Sequence, residues 1–201
     1  MNKGFSVKLS PTTFIAVAPT RTSARLRGAG IVLAGSALVA VCAHLAIPLF
    51  FTPVPLSMAP FAVLVLGLLL SPRLAAATLA AYLVEGTLGL PVFSPMPAIS
   101  GLAHLLGPTG GYLLSYPFAA ALIAFMVRKS SRGFVPAALS AAAGSLVILL
   151  CGALWLAVRT HASVSSTLTL AVVPFLPGDA LKVAAAAGIA AGWFRLRRRT
   201  A

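Results

Sequence analysis

The chain has 201 residues, of which 60% are hydrophobic and only 8% are charged. Soluble domains carry about 25% charged residues, so this composition indicates a protein that lies in a lipid bilayer. The formal charge of +13 is typical of nucleic-acid-binding proteins, but such proteins present a solvated basic face. Long apolar runs separate these cations, and no nucleic-acid partner is expected.

Acidic residues are scarce, since Glu85 and Asp179 are the only two in the chain. Metal-dependent phosphotransferases and carboxylate-pair hydrolases need several carboxylates, and no Gly-x-Ser-x-Gly or other nucleophile–base arrangement is visible. Cys42 and Cys151 stand in apolar runs without the spacing of a zinc site. The sequence therefore argues against an enzyme and predicts neither a metal nor a cofactor.

The first 28 residues lack a sustained apolar run and contain five cations and two prolines. The apolar stretch Phe14–Ala18 is too short for the core of a signal peptide. We expect residues 1–28 to form a flexible cytoplasmic tail and residues 29–201 to form one membrane domain.

Six apolar segments follow the tail, and a helix needs about 20 such residues to cross the hydrocarbon core. The second segment is short, and Pro174 and Pro177 interrupt the last one, so its continuous helix is expected to begin at Pro177. The predicted fold is an all-α membrane protein, a bundle of six transmembrane helices. The expected spans are Ala29–Phe51, Pro60–Leu70, Arg73–Leu90, Gly110–Val127, Phe134–Val158 and Leu168–Phe194.

The cations predict the orientation of these spans. With the N-terminus in the cytoplasm, 13 of the 15 Lys and Arg residues fall on the inside, Arg159 alone falls outside and Lys182 lies within the last span. The reverse orientation would contradict the positive-inside rule. We therefore expect both termini in the cytoplasm. The inside cations are Lys3, Lys8, Arg21, Arg25, Arg27, Arg73, Arg128, Lys129, Arg132, Arg195, Arg197, Arg198 and Arg199.

Three ionisable residues fall within predicted spans: Glu85, Asp179 and Lys182. A charge at the centre of a membrane helix costs about 2.5–3.5 kcal/mol on insertion scales and usually faces a cavity or a partner. Asp179 and Lys182 are three residues apart and share a helix face, so they form either a functional site or a self-satisfied ion pair. Glu85 could also lie at a solvated helix end. His44 and His104 fit hydrogen-bonded histidines better than metal ligands.

The loops on the predicted outer side are apolar and rich in Gly and Pro. Gly89–Phe93 and Gly107–Tyr112 connect spans 3 and 4, and Pro53–Pro55 stiffens the connection between spans 1 and 2. Such glycines permit either a close approach to a ligand or a tight junction between loop and helix. Together these loops predict a lid over a cavity walled by Tyr82, Phe93, Tyr112 and the charged face of span 6.

These stretches together resemble the BioY family, the biotin-binding S component of energy-coupling factor (ECF) transporters. The similarity covers roughly residues 35–194, in the family's order, with one departure at Ala59, where the family often has Gln. The matching stretches are Pro53-Val54-Pro55, Tyr82-Leu83-Val84-Glu85-Gly86, Gly89-Leu90-Pro91-Val92-Phe93, Gly107-Pro108-Thr109-Gly110-Gly111-Tyr112, and Pro177-Gly178-Asp179 with Lys182.

The resemblance implies six transmembrane helices, high-affinity capture of biotin near the outer face, and location in the bacterial inner membrane. It also implies two kinds of partner, a transmembrane T component and cytoplasmic ATPase subunits. The chain contains no GxxxxGK[ST] stretch for binding ATP phosphates, so import driven by ATP would require those partners.

The family motifs further imply that Asp179 and Lys182 bind biotin. A carboxylate accepts hydrogen bonds from the ureido N–H groups, and the ammonium group suits either the ureido oxygen or the valerate carboxylate. The candidate biotin-binding residues are Asp179, Lys182, Glu85, Tyr82, Phe93, Thr109, Gly110, Gly111 and Tyr112.

Span 1 contains pairs of small residues four positions apart, including Ser36 and Ala40. This spacing permits close helix approach, either to the T component or within the chain. Two alternative functions also stay open: an S component for another small vitamin, and a stand-alone secondary carrier. A carrier often contains inverted repeats, which are not detectable here.

Overall fold

The computed structural model describes residues 21–96, 99–161 and 163–199. These residues form eight α-helices, a short 3-10 helix and a two-stranded antiparallel ribbon, so the predicted all-α class is confirmed apart from the ribbon. The elements are α1 (Arg21–His44), β1 (Ala46–Ile47), β2 (Leu56–Ser57), α2 (Ala59–Leu69), α3 (Pro72–Thr87), α4 (Gly101–Leu105), α5 (Gly110–Lys129), α6 (Phe134–Thr160), α7 (Val164–Ala171), the 3-10 helix Val173–Phe175, and α8 (Leu176–Arg199).

Four segments of the described chain are long and apolar enough to cross a membrane: Arg25–His44, Gly110–Lys129, Phe134–Thr160 and Ser165–Arg199. Helices α2 and α3 are shorter, with 11 and 16 residues. Leucine and valine side chains are exposed along the outer face of α6, as a lipid-facing helix requires. The protein is therefore a multi-pass helical membrane protein. The exposed leucines and valines on α6 are Val135, Leu139, Leu146, Leu150, Leu154 and Val158.

The first helix differs from its predicted span at both ends. Within the described residues it extends back to Arg21 rather than Ala29, so residues 21–28 of the predicted tail are helical; residues 1–20 lie outside the described part of the chain. It ends at His44 rather than Phe51. The next residues pair with the chain before α2, with Ile47 opposite Leu56, and this pairing replaces further helical hydrogen bonds.

The start of the last long helix agrees with its prediction to within one residue. Pro174 lies in the 3-10 helix, and α8 begins at Leu176 with Pro177 in its first turn. A proline is tolerated there because the first N–H groups of a helix have no intrahelical acceptor. Asp179 occupies the same first turn, where the helix dipole favours a negative charge.

Helix α5 lies at the centre of the bundle and packs against α2, α3 and α6, while α8 packs against α2 and α6. The core divides into two clusters. One contains buried aromatic residues from α3, α5 and the 3-10 helix. The other contains mostly alanine, leucine and isoleucine from α2, α5, α6 and α8. The aromatic cluster surrounds the cavity described next.

Candidate functional site

A partly open cavity of about 610 Å³, including its mouth, lies at the aromatic end of the bundle. Its wall is mostly apolar and comes from α1, the ribbon, α2, α3, α4, α5, α6 and α8. The lining residues are Ala43, Val54, Pro55, Ser57, Ala59, Pro60, Tyr82, Ser94, His104, Thr109, Tyr112, Leu113, Tyr116, Ile148, Leu149, Phe175, Asp179 and Lys182.

A buried ion pair forms the charged part of this wall. The Lys182 ammonium nitrogen is 3.1 Å from Oδ1 of Asp179, and both residues are less than 10% exposed. Ser145 on α6 donates a hydrogen bond of 2.9 Å to the other carboxylate oxygen, Oδ2. The structure therefore brings the two predicted residues together and adds a hydroxyl from a second helix.

Three tyrosines give the wall its aromatic surface. Tyr82 and Tyr116 stack with ring centroids 6.4 Å apart. Tyr112 donates a hydrogen bond of 2.8 Å to the carbonyl of Ala171, which connects α5 to the segment before α8. The hydroxyl of Tyr82, by contrast, is buried without a hydrogen-bond partner in the described protein. Tyr82 and Tyr112, both predicted as walls, line the cavity.

Thr109 and His104 form a second polar corner of the cavity. The Nδ1 atom of His104 lies 2.9 Å from the carbonyl oxygen of Ile99, and its Nε2 atom lies 3.4 Å from the Thr109 hydroxyl. A carbonyl only accepts, so Nδ1 carries a proton and donates to Ile99, while Nε2 shares a hydrogen bond with the Thr109 hydroxyl. His104 is thus a hydrogen-bonded histidine, as expected, and Thr109 lines the cavity.

Phe93 stands behind the cavity wall. Its ring packs edge-on against Tyr82, with centroids 5.4 Å apart, and stacks on His104 at 5.1 Å. Both of those residues line the cavity. Phe93 therefore supports the wall through its neighbours.

Gly110 and Gly111 lie at helix contacts beside the cavity. A Cβ atom on Gly110 would stand 1.9 Å from the carbonyl oxygen of Leu105, and one on Gly111 would stand 2.2 Å from Cβ of Trp155. Neither glycine is among the lining residues. Their absent side chains allow α5 to approach α4 and α6 closely.

Glu85 is hydrogen-bonded to α1 and does not line the cavity. Its carboxylate accepts a hydrogen bond from the Ser36 hydroxyl, and Glu85 is not among the lining residues. Ser36 is 1% exposed, and Ala40 packs against the core. The two small residues predicted to contact a partner thus serve packing within this chain, because their helix face is turned toward α3.

Most of the residues at the site were not predicted as ligand-binding from the sequence, among them His104, Tyr116, Ser145 and Phe175. Tyr116 follows Tyr112 by one helical turn, a spacing that places both on one face. Ser145 offered no signal, because a single serine in an apolar helix usually bonds its own backbone.

The cavity suits a small ligand with an apolar body and a polar group. Its wall offers a carboxylate, an ammonium group and hydroxyls within apolar surroundings. The described residues contain no group of three His, Cys, Asp or Glu that could hold a metal ion. The fold and site define a multi-pass helical membrane protein with a charged pair buried in the wall of an apolar cavity.

The comparisons with known proteins identify its family. Residues 17–199 match the BioY family, so the chain belongs to that family, which consists of transporters rather than enzymes. The "Probable biotin transporter BioY" of Pyrococcus horikoshii is 39% identical over 138 residues, 69% of this chain and 79% of its own. "Biotin transporter BioY2" of Lactococcus lactis subsp. cremoris is 34% identical over 152 residues, 76% of this chain and 81% of its own.

A solved structure also matches. The crystal structure of the S-component for biotin from an ECF-type ABC transporter superposes with a TM-score of 0.78 and 27% sequence identity. The match covers 90% of this chain and 95% of that chain. The recognition of the family from the sequence is thereby confirmed.

Proposed function

We propose that this chain captures biotin in the cavity and acts as the substrate-binding S component of an ECF transporter. The observation that carries the proposal is the buried Asp179–Lys182 pair in the wall of an apolar cavity. The similarity to a biotin S-component over nearly the whole chain supports the same ligand.

The chemistry of the wall complements biotin. The Asp179 carboxylate can accept hydrogen bonds from the ureido N–H groups, and the Lys182 ammonium can donate to the ureido oxygen or to the valerate carboxylate. Tyr82, Tyr112 and Tyr116 offer aromatic surface for the fused rings and the tail. Asp179 and Lys182 are about one turn apart on α8, so both would bind the same end of the ligand.

The proposed transporter also contains other proteins. A T component and two ATPase subunits would drive uptake, because the chain itself has no phosphate-binding loop. The charge distribution supports cytoplasmic termini, and the resemblance to the BioY family supports six spans and location in the bacterial inner membrane. The shorter α2 and α3 would then complete the four longer spans.

A binding titration tests the ligand. The purified protein in detergent should bind biotin saturably, and thiamine and riboflavin should not compete. Absence of saturable biotin binding by the folded protein would reject the proposal. Uptake in cells with and without the T component and ATPases tests the assembly, and undiminished uptake by the chain alone would favour a stand-alone carrier.

Asp179→Asn tests the assigned residue. We expect it to raise the Kd for biotin about tenfold or more, because a hydrogen bond to a charged group contributes roughly 1.5–3 kcal/mol. The variant should still insert and elute as a single species. An unchanged Kd would reject the ureido role of Asp179.

A further inference from the structure

Both oxygens of the Asp179 carboxylate are already engaged, and they are engaged from different helices. Lys182 on the same helix contacts Oδ1, and Ser145 on α6 donates to Oδ2 at 2.9 Å. Ser145 is 6% exposed and is not among the residues that line the cavity. Its hydroxyl therefore reaches the site through Asp179.

Ser145 differs in this respect from other hydroxyl residues on α6. Ser140 donates to the carbonyl of Pro136, and Thr160 donates to the carbonyl of Leu156, each one turn back in the same helix. That is the usual hydrogen bond of serine and threonine in a helix. Ser145 instead bonds a charged acceptor across a helix interface, and such a bond is stronger than a neutral one.

The two donors restrict the carboxylate in a way that one donor would not. Lys182 has a long, flexible side chain. Because it lies on the same helix as Asp179, its ammonium group can follow the Asp179 carboxylate when the carboxylate rotates. Ser145 has a short side chain on a separate, closely packed helix, so it opposes that rotation. A carboxylate has about four acceptor positions, so each oxygen keeps one for a ligand.

We propose that Ser145 is a positioning residue that holds the Asp179 carboxylate in the orientation that receives the ligand. This inference rests on the proposed function, since the ligand is biotin in the test. Without the Ser145 hydroxyl, the carboxylate is free to turn toward Lys182, and biotin binding must then reorient it.

Ser145→Ala should raise the Kd for biotin roughly tenfold, because binding must then supply the carboxylate orientation that the Ser145 hydroxyl supplies in the wild-type chain. Ser140→Ala is the matched control, because it removes a buried hydroxyl from the same helix without touching the site, and it should leave the Kd unchanged. Ser145→Thr and Ser145→Val form a second pair of equal shape. Only the variant that keeps a hydroxyl should retain affinity.

A double-mutant cycle separates positioning from a general structural effect. In the Asp179→Asn background, Ser145→Ala should change the Kd far less than it does in the wild-type chain. An equal change in both backgrounds would overturn the proposal, as would an unchanged Kd in Ser145→Ala.

The outcomes also separate this inference from the proposed function. If the wild-type chain binds biotin and Ser145→Ala binds it equally well, only the positioning role fails. If the folded wild-type chain binds no biotin, both fail.

Discussion

Two buried tyrosines in the same wall differ in a single hydrogen bond. The Tyr112 hydroxyl donates to the carbonyl of Ala171, whereas the Tyr82 hydroxyl has no partner within the described protein. A buried polar group without a partner costs about 1–3 kcal/mol, while a satisfied hydrogen bond contributes about 1 kcal/mol. The same substitution at these two positions should therefore change stability in opposite directions.

Tyr82→Phe should keep or raise the midpoint of thermal unfolding of the ligand-free protein in detergent. Tyr112→Phe should lower it, because the substitution removes a hydrogen bond and leaves the Ala171 carbonyl unpaired, a loss of about 1 kcal/mol or more. Each variant serves as the control for the other, since each loses one oxygen atom from one ring. A lower midpoint for Tyr82→Phe would mean that its hydroxyl has a partner in solution.

At the residue scale, the sequence reveals charges better than hydrogen-bond partners. Asp179 and Lys182 were conspicuous because ionisable groups are rare in an apolar helix, and they form a pair at 3.1 Å. Glu85 was equally conspicuous, yet its partner Ser36 is 49 residues away in the chain. Only the packing of α1 against α3 shows that this acid is engaged outside the cavity.

At the scale of the element, α5 and α6 interlock through glycines. The position of a Cβ on Gly111 falls 2.5 Å from the carbonyl oxygen of Cys151, and that of a Cβ on Gly152 falls 2.2 Å from the ring of Tyr112. Each helix thus has a notch opposite a large side chain or the backbone of the other. The close approach positions Tyr112 in the cavity wall.

Gly111→Ala should destabilise the protein by about 1–3 kcal/mol or more, the usual effect of overpacking, because the Cβ of Trp155 and the carbonyl oxygen of Cys151 cannot retreat without separating the helices. Thermal unfolding in detergent measures this loss as a lower midpoint. Gly188→Ala on α8 is the control, since a Cβ there meets nothing within 4 Å, and it should leave the midpoint unchanged or slightly raised. Equal midpoints for the two variants would contradict the interlock.

Hydropathy predicted α2, α3 and α6 closely, but it predicted neither the ribbon nor α4. The bounds of α6 agree closely with those of its predicted span. Its long apolar sequence is sufficient to cross the thickness of the bilayer as a helix. The ribbon and α4 have only two to five residues per element. They depend on local hydrogen bonds and on packing over the cavity, which a hydropathy pattern does not register.

At the scale of the whole molecule, cations from distant parts of the chain gather at the end opposite the cavity. The Arg198 guanidinium donates to the carbonyl of Arg132, which joins the end of α8 to the turn between α5 and α6. Lys129 and Arg132 lie over the rings of Phe125 and Phe194. Aromatic and basic residues together are typical of a membrane interface.

The orientation can be tested by labelling single cysteines in a background that carries Cys42→Ala and Cys151→Ala. Ser130 and Arg159 are exposed near opposite ends of α6. A membrane-impermeant maleimide should label Arg159→Cys in intact cells and Ser130→Cys only after lysis. The reverse pattern would place the termini outside, and the cysteine-free background gives the labelling baseline.

The pairing of Asp179 with Lys182 also determines the net charge of the cavity wall that a solute meets. One positive and one negative group cancel there, so the site has almost no net charge with which to attract or repel an ion. A solute would instead bond to the acceptor positions that Asp179 keeps and to the remaining N–H donors of Lys182. Selection at this wall would accordingly depend on the number and placement of a solute's donors and acceptors, and very little on its overall charge.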